Sequence, residues 1–116
     1  MQMKKFDNKI YRDLRAIGIP EYYQGERFLY AALQIVQNDP MSLCSITKQV
    51  YPDIAKIYHT SASCVERNMR TFVACLWEER DYLNRVAGKP LTKRPTNREL
   101  ISLMAAYLDE EEIKVF

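Results

Sequence analysis

The 116-residue sequence predicts an all-α domain of about six helices. Only three glycines occur (Gly18, Gly25 and Gly88), too few for a succession of tight strand-connecting turns. The five prolines fall mostly between periodic segments. Within those segments apolar side chains recur three and four residues apart, the spacing that gathers them on one face of a helix.

A first helix is expected near Asn8 to Ile17, where Ile10, Leu14 and Ile17 share a face. Gly18 suits the left-handed residue that ends a helix, and Pro20 follows shortly after. A second runs from about Glu26 to Asn38, with Phe28, Leu29, Ala32, Leu33, Ile35 and Val36 as a broad apolar stripe that stops before Pro40. The third segment, Ser42 to Tyr58, keeps helical spacing through Leu43, Ile46, Val50, Ile54 and Ile57. Pro52 interrupts it: proline lacks an amide hydrogen and its ring collides with the preceding turn, so a kink or a restart is expected. The fourth and longest helix begins after Thr60-Ser61-Ala62-Ser63 and reaches about Arg80; either Ser61 caps it, or Ser63 forms a capping box with Glu66. A short fifth helix covers Asp81 to Ala87 and closes at Gly88. After an extended connection holding Pro90 and Pro95, the sixth opens at the capping box Thr96-x-x-Glu99 and carries Leu100, Ile101, Met104, Ala105 and Leu108. Residues 1–9 read as an N-terminal arm, 10–108 as one folded domain and 109–116 as an acidic tail expected to fray.

Composition narrows the function classes. With 47% hydrophobic and 28% charged residues and no low-complexity tract, the chain has the make-up of a domain with a core. Its longest apolar runs, Phe28 to Leu33 and Leu103 to Leu108, are far short of the roughly 18 residues a membrane span needs. The charged N-terminus is followed by no apolar stretch, so a secretory signal is not expected and the location should be cytoplasmic. Three cysteines (Cys44, Cys64, Cys75) without C-x-x-C spacing and a single histidine, His59, suggest neither a disulfide framework nor a metal site. Residues 1–108 hold 16 basic and 11 acidic side chains, whereas Asp109, Glu110, Glu111 and Glu112 face only Lys114 in the tail. A basic body of this size permits a polyanionic partner without demanding one.

The informative stretch runs from Ile54 to Arg70. A helix-turn-helix needs a small residue where its helices cross, apolar residues that hold them at a steep angle, and a short turn before a polar-faced second helix. Ala55 supplies the first; Ile54, Tyr58 and Val65 supply the second. His59 stands where such turns often carry glycine, and histidine tolerates positive φ better than most residues. At about 100° per residue, Val65, Met69, Phe72 and Leu76 fall on one arc of the fourth helix, while Ser63, Cys64, Arg67, Arg70 and Thr71 cluster opposite, with Glu66 at the edge. Arg67 and Arg70 would then project from the first turns of the helix that enters the major groove, where arginine bonds guanine O6 and N7 with both arms. The bland alternative is that Glu66 and Arg70, four apart, form an ordinary ion pair on a solvated face.

A second basic cluster, Arg85, Lys89, Lys93, Arg94 and Arg98, surrounds Pro90 and Pro95 and suits a phosphate backbone, with the unpaired amides at the start of the sixth helix beside it. It equally suits a solvated loop. Lys48 and Lys56, before the turn, are further phosphate candidates, as are Ser63 and Thr71. The eight tyrosines are scattered over different elements and do not suggest a stacking platform. No Gly-rich phosphate loop, H-E-x-x-H or nucleophile motif occurs, and Cys64 reads as a packed thiol more readily than a reactive one; no enzyme activity and no cofactor are expected.

With these residues in view, the sequence resembles the C-terminal effector domain of the stage-zero sporulation response regulator of spore-forming bacteria. The resemblance rests on Gly18-Ile19-Pro20 with Gly25, on Val50-Tyr51-Pro52-Asp53-Ile54-Ala55-Lys56, on Val65-Glu66-Arg67 with Arg70, on Trp77, and on Lys93-Arg94-Pro95-Thr96-Asn97 with Glu99 and Ile101. It implies a six-helix, winged-helix-like effector domain that reads a short double-stranded DNA box, often as two domains head to tail on adjacent repeats. It also implies base contacts from Glu66, Arg67 and Arg70, with the arginines on guanine and Glu66 on a cytosine amino group or as the brace for Arg70. Cys64 stands where the family usually has arginine, and Thr71 replaces a more basic residue, which removes positive charge from the reading face. The family places a phosphorylatable receiver domain ahead of this one, and a natural length of 116 residues would leave no room for it. The expectation is therefore a stand-alone transcription regulator on double-stranded DNA, with RNA polymerase as a further partner. The alternative is an interaction module or competitor that modulates a full-length relative or the polymerase without reading DNA.

Overall fold

The apolar spacing of the sequence is realised as six α-helices in a computed structural model that describes residues 8–113 and their side chains as far as Asp109. They are α1 (Lys9–Ala16), α2 (Gln24–Asn38), α3 (Tyr51–Tyr58), α4 (Ala62–Trp77), α5 (Arg80–Ala87) and α6 (Asn97–Ile113). No strand occurs among the described residues, so the likeness to a winged helix stops at the helices. Most of the expected arm, and the last residues of the expected tail, lie outside the described residues.

Local chemistry sets the boundaries. Asn8 caps α1 by accepting the Tyr11 amide at 2.8 Å. Gly18 ends it at φ +94°, donating to the Arg15 carbonyl while the Ile19 amide reaches Leu14, and this turn drops Ile19 into the core. The expected helix from Ser42 to Tyr58 is instead three pieces: a 3₁₀ segment (Pro40–Ser45), a single π-turn (Ile46–Val50) and α3. Pro52 falls in the first turn of α3, where its missing amide hydrogen costs nothing, so the restart is the outcome realised. α4 stops at Trp77, short of Arg80, which becomes the first residue of α5 and donates from Nε to the Trp77 carbonyl at 2.8 Å. At α6 the box is reciprocal: Thr96 Oγ1 accepts the Glu99 amide at 3.1 Å, and the Thr96 amide donates to Glu99 Oε1 at 2.9 Å. α6 continues through the acidic residues 109–112 to Ile113.

Packing centres on α2 against α4. Phe28, Leu29, Ile54, Val65, Met69, Phe72, Leu76, Leu100, Ile101 and Met104 are all buried in one core. The two central helices approach closely at Gly25, where an added Cβ would lie 2.3 Å from the Asn68 carbonyl oxygen and 2.7 Å from Phe72 Cβ. α1 adds Ile10 and Leu14 to the core and is also held by polar bonds. Arg15 Nη2 meets both oxygens of buried Glu26 at 2.6 and 2.7 Å, and Glu26 also accepts the Tyr30 hydroxyl at 2.5 Å. Asp13 accepts the hydroxyls of Tyr82 and Tyr107 at 3.1 and 2.6 Å.

Candidate nucleic-acid interface

The geometry around α3 and α4 follows from four small features of sequence. His59 takes the left-handed conformation (φ 56°, ψ 49°) that ends α3. Its amide donates to Lys56 and that of Thr60 to Ala55, the paired bonds that reverse a chain at a helix C-terminus. Ser61 is the N-cap of α4, its Oγ accepting the Cys64 amide at 3.1 Å, so of the two expected caps this is the one used. Buried Ala55 and Ile54 on α3 and Val65 on α4 lie at the crossing, and the Tyr58 ring meets Phe28 of α2 edge-on at 5.3 Å. The result is a helix-turn-helix with a turn of His59, Thr60 and Ser61.

The two faces of α4 divide as the 100° arithmetic predicts. Val65, Met69, Phe72, Val73 and Leu76 are buried; Ser63, Arg67, Arg70 and Thr71 are exposed. Between them Cys64 and Glu66 are half-buried. Glu66 and Arg70 are bonded to each other, with the Arg70 side chain 54% exposed. Arg67, next to Glu66 in the chain and three residues before Arg70, has no hydrogen bond or ion pair with another described residue, so its donors face solvent. Asn68 Nδ2 donates to the Cys64 carbonyl at 2.8 Å and contacts its Sγ at 3.3 Å, which ties the thiol to the helix flank instead of presenting it with the arginines.

The second basic cluster is only partly brought to this face. Asn97, the first residue of α6, is buried, and its Nδ2 donates to the Tyr51 hydroxyl at 3.0 Å and to the Glu66 carbonyl at 3.2 Å. Burial raises the pKa of the Tyr51 hydroxyl, against the opposing effect of the Asn97 hydrogen bond. These bonds bring the start of α6 beside α4, four residues after Lys93 and three after Arg94. Lys48, Lys56, Lys89, Lys93 and Arg94 are exposed. Arg98 is exposed too, but its Nε donates to the Leu43 carbonyl at 3.0 Å. Arg85 lies over the Tyr82 ring at 5.1 Å, and Tyr82 in turn is bonded to α1. Of the amides at the start of α6, expected to be available to an anion, those of Thr96 and Glu99 are taken by the capping box, with the Glu99 carboxylate seated there.

Sequence reasoning overlooked the Asn97 link and the buried Glu26. The second had a signal: Glu26 shares a helical face with Leu29, Tyr30 and Leu33, so a charge on an apolar stripe called for a partner. Asn97 had none, because its partners are 46 and 31 residues away. Among the described residues no helix is long and apolar enough to cross a membrane, and no group of acidic, cysteine or histidine side chains is placed to hold a metal.

A helix-turn-helix whose second helix is buried along one side and carries two arginines on the other defines a DNA-binding effector domain. The family model described as sporulation initiation factor Spo0A C terminal matches residues 10–108, and the chain belongs to that family. It is a family of DNA-binding transcription-regulatory domains of sporulation, not one of enzymes.

Proposed function

We propose that the protein is a sequence-specific regulator of transcription that reads a short double-stranded DNA box through α4. Arg67 and Arg70 take base edges in the major groove, and Glu66 braces Arg70 or accepts from a cytosine amino group. Lys48, Lys56, Ser63, Thr71, Lys89, Lys93, Arg94 and Arg98 take phosphates, Arg98 with the donors left beyond Nε. Two copies would bind head to tail on adjacent boxes. The observation that carries this reading is the uncommitted guanidinium of Arg67 beside Arg70 on the exposed face of a capped helix.

Selection from a random duplex pool, followed by titration on the selected box, tests it. Arg67→Ala should weaken the specific complex by about 1–3 kcal/mol and relax preference at one base pair. Lys93→Ala should weaken all duplexes alike and lower the salt slope by about 1. An unchanged affinity and preference in Arg67→Ala would remove α4 as the reading element.

A second reading is favoured by one observation, the half-buried Cys64 tied to Asn68 where the family resemblance leads one to expect a DNA-facing arginine. In it the domain pairs with a full-length relative or with RNA polymerase. Salt separates the two, since phosphate neutralisation gives a steep fall of log K with log salt.

A further inference from the structure

Asn97 is 8% exposed and both hydrogens of its Nδ2 are used, one on the Tyr51 hydroxyl at the start of α3 and one on the main-chain carbonyl of Glu66 in α4. A bond to a main-chain atom acts on the helix as a body: whatever side chain stands at position 66, this contact limits rotation of α4 about its axis. The carbonyl it holds belongs to the turn that carries Glu66, Arg67 and Arg70, so a small rotation there is passed directly to both guanidinium groups. Bidentate contacts to a base edge tolerate displacements of only about 0.5 Å or 10–20°. On its other side Asn97 follows directly on Lys93, Arg94, buried Pro95 and the cap Thr96, and is one residue from Arg98. The same side chain therefore joins the segment that would meet phosphates to the helix that would meet bases.

We propose that Asn97 is a positioning residue for base readout: anchored by Tyr51, it holds the Glu66 carbonyl and so sets the register in which Arg67 and Arg70 meet the bases once Lys93 and Arg94 have engaged the backbone. The proposal rests on the DNA reading of α4. It differs from a purely architectural role in what it couples, because a residue that only stabilises the fold affects specific and non-specific complexes together.

The experiment measures affinity for the selected box and for a scrambled duplex of equal length, with the salt slope of each, for wild type, Asn97→Ala, Tyr51→Phe, Arg67→Ala and the double variant Asn97→Ala/Arg67→Ala. Asn97→Ala should lower the box-to-scrambled ratio roughly three- to tenfold, the equivalent of one or two hydrogen bonds, and leave scrambled affinity and salt slope unchanged. Arg67→Ala should cost less in the Asn97→Ala background than in wild type. Equal losses on both duplexes, or strict additivity with Arg67→Ala, would overturn the positioning role while leaving the DNA reading intact. A wild type with no preference for any box would overturn both. Should Asn97→Ala fail to fold, Tyr51→Phe keeps the ring and removes only the acceptor; a fall in its ratio supports the proposal and an unchanged ratio overturns it.

Discussion

Glu66 and Arg70 stand at the point where a common surface pair and a reading device have the same appearance. As an exposed pair four residues apart they contribute only a few tenths of a kcal/mol to the helix. Glu66→Gln, which keeps the shape and removes the charge, should therefore change the melting temperature by less than about 3 °C. It should at the same time alter base preference at one position of the selected box, because the brace on Arg70 is lost. Selection and a thermal melt on the same preparation check both halves; a variant with wild-type preference would leave the pair as surface chemistry. The placement of Arg67, Arg70 and Glu66 was legible because helical periodicity is local and α4 is regular. Asn97 and Cys64 were not. The role of Asn97 depends on contacts far away in sequence, and the orientation of Cys64 is decided by a hydrogen bond from Asn68 that no spacing rule demands.

Elements were legible in number and order, and less so where they meet. Pro52 forecast the restart of α3, but the 3₁₀ segment and π-turn before it keep apolar residues at helix-like intervals, so periodicity alone could not separate them from an α-helix. Gly25 illustrates the same limit between elements. On its own helix, Gly→Ala should stabilise by about 1 kcal/mol. Against α4, the added carbon would overlap a main-chain oxygen 2.3 Å away, and a backbone atom cannot swing aside as a side chain does. Overpacking of this kind costs about 1–3 kcal/mol and here requires α2 and α4 to separate. Gly25→Ala should lower the denaturation midpoint despite its better helix propensity, and circular dichroism melts decide the sign. Ser61→Ala makes a calibrating contrast at the start of α4: loss of one cap bond should cost about 1 kcal/mol and move no helix.

Over the whole molecule, the modest net charge of +2 conceals two poles of one helix. α6 begins beside α4 with Arg98, shortly after Lys93 and Arg94 in the chain, and it runs on to the acidic stretch from Asp109, about 16 Å further along its axis. Tyrosine hydroxyls and carboxylates join α1, α2, α5 and α6, and those hydroxyls make stability depend on pH at the alkaline end. Burial, assisted by the neighbouring carboxylates, raises the pKa of Tyr30 and of Tyr82 well above the ordinary tyrosine value of 10.0. In the unfolded chain both ionise near that value, so above it the unfolded state binds fewer protons than the folded one. Their contribution is thus fully present below pH 10.0 and is lost as pH rises beyond it. Urea midpoints should be nearly level from about pH 8 to 9.5 and fall steeply above about pH 10. Tyr82→Phe removes one of the titrating hydroxyls together with its bond to Asp13. It should lower stability near pH 8 by about 1 kcal/mol and make the alkaline fall shallower. An alkaline fall as steep in Tyr82→Phe as in wild type would assign that loss to groups other than the tyrosine that closes α1 onto α5.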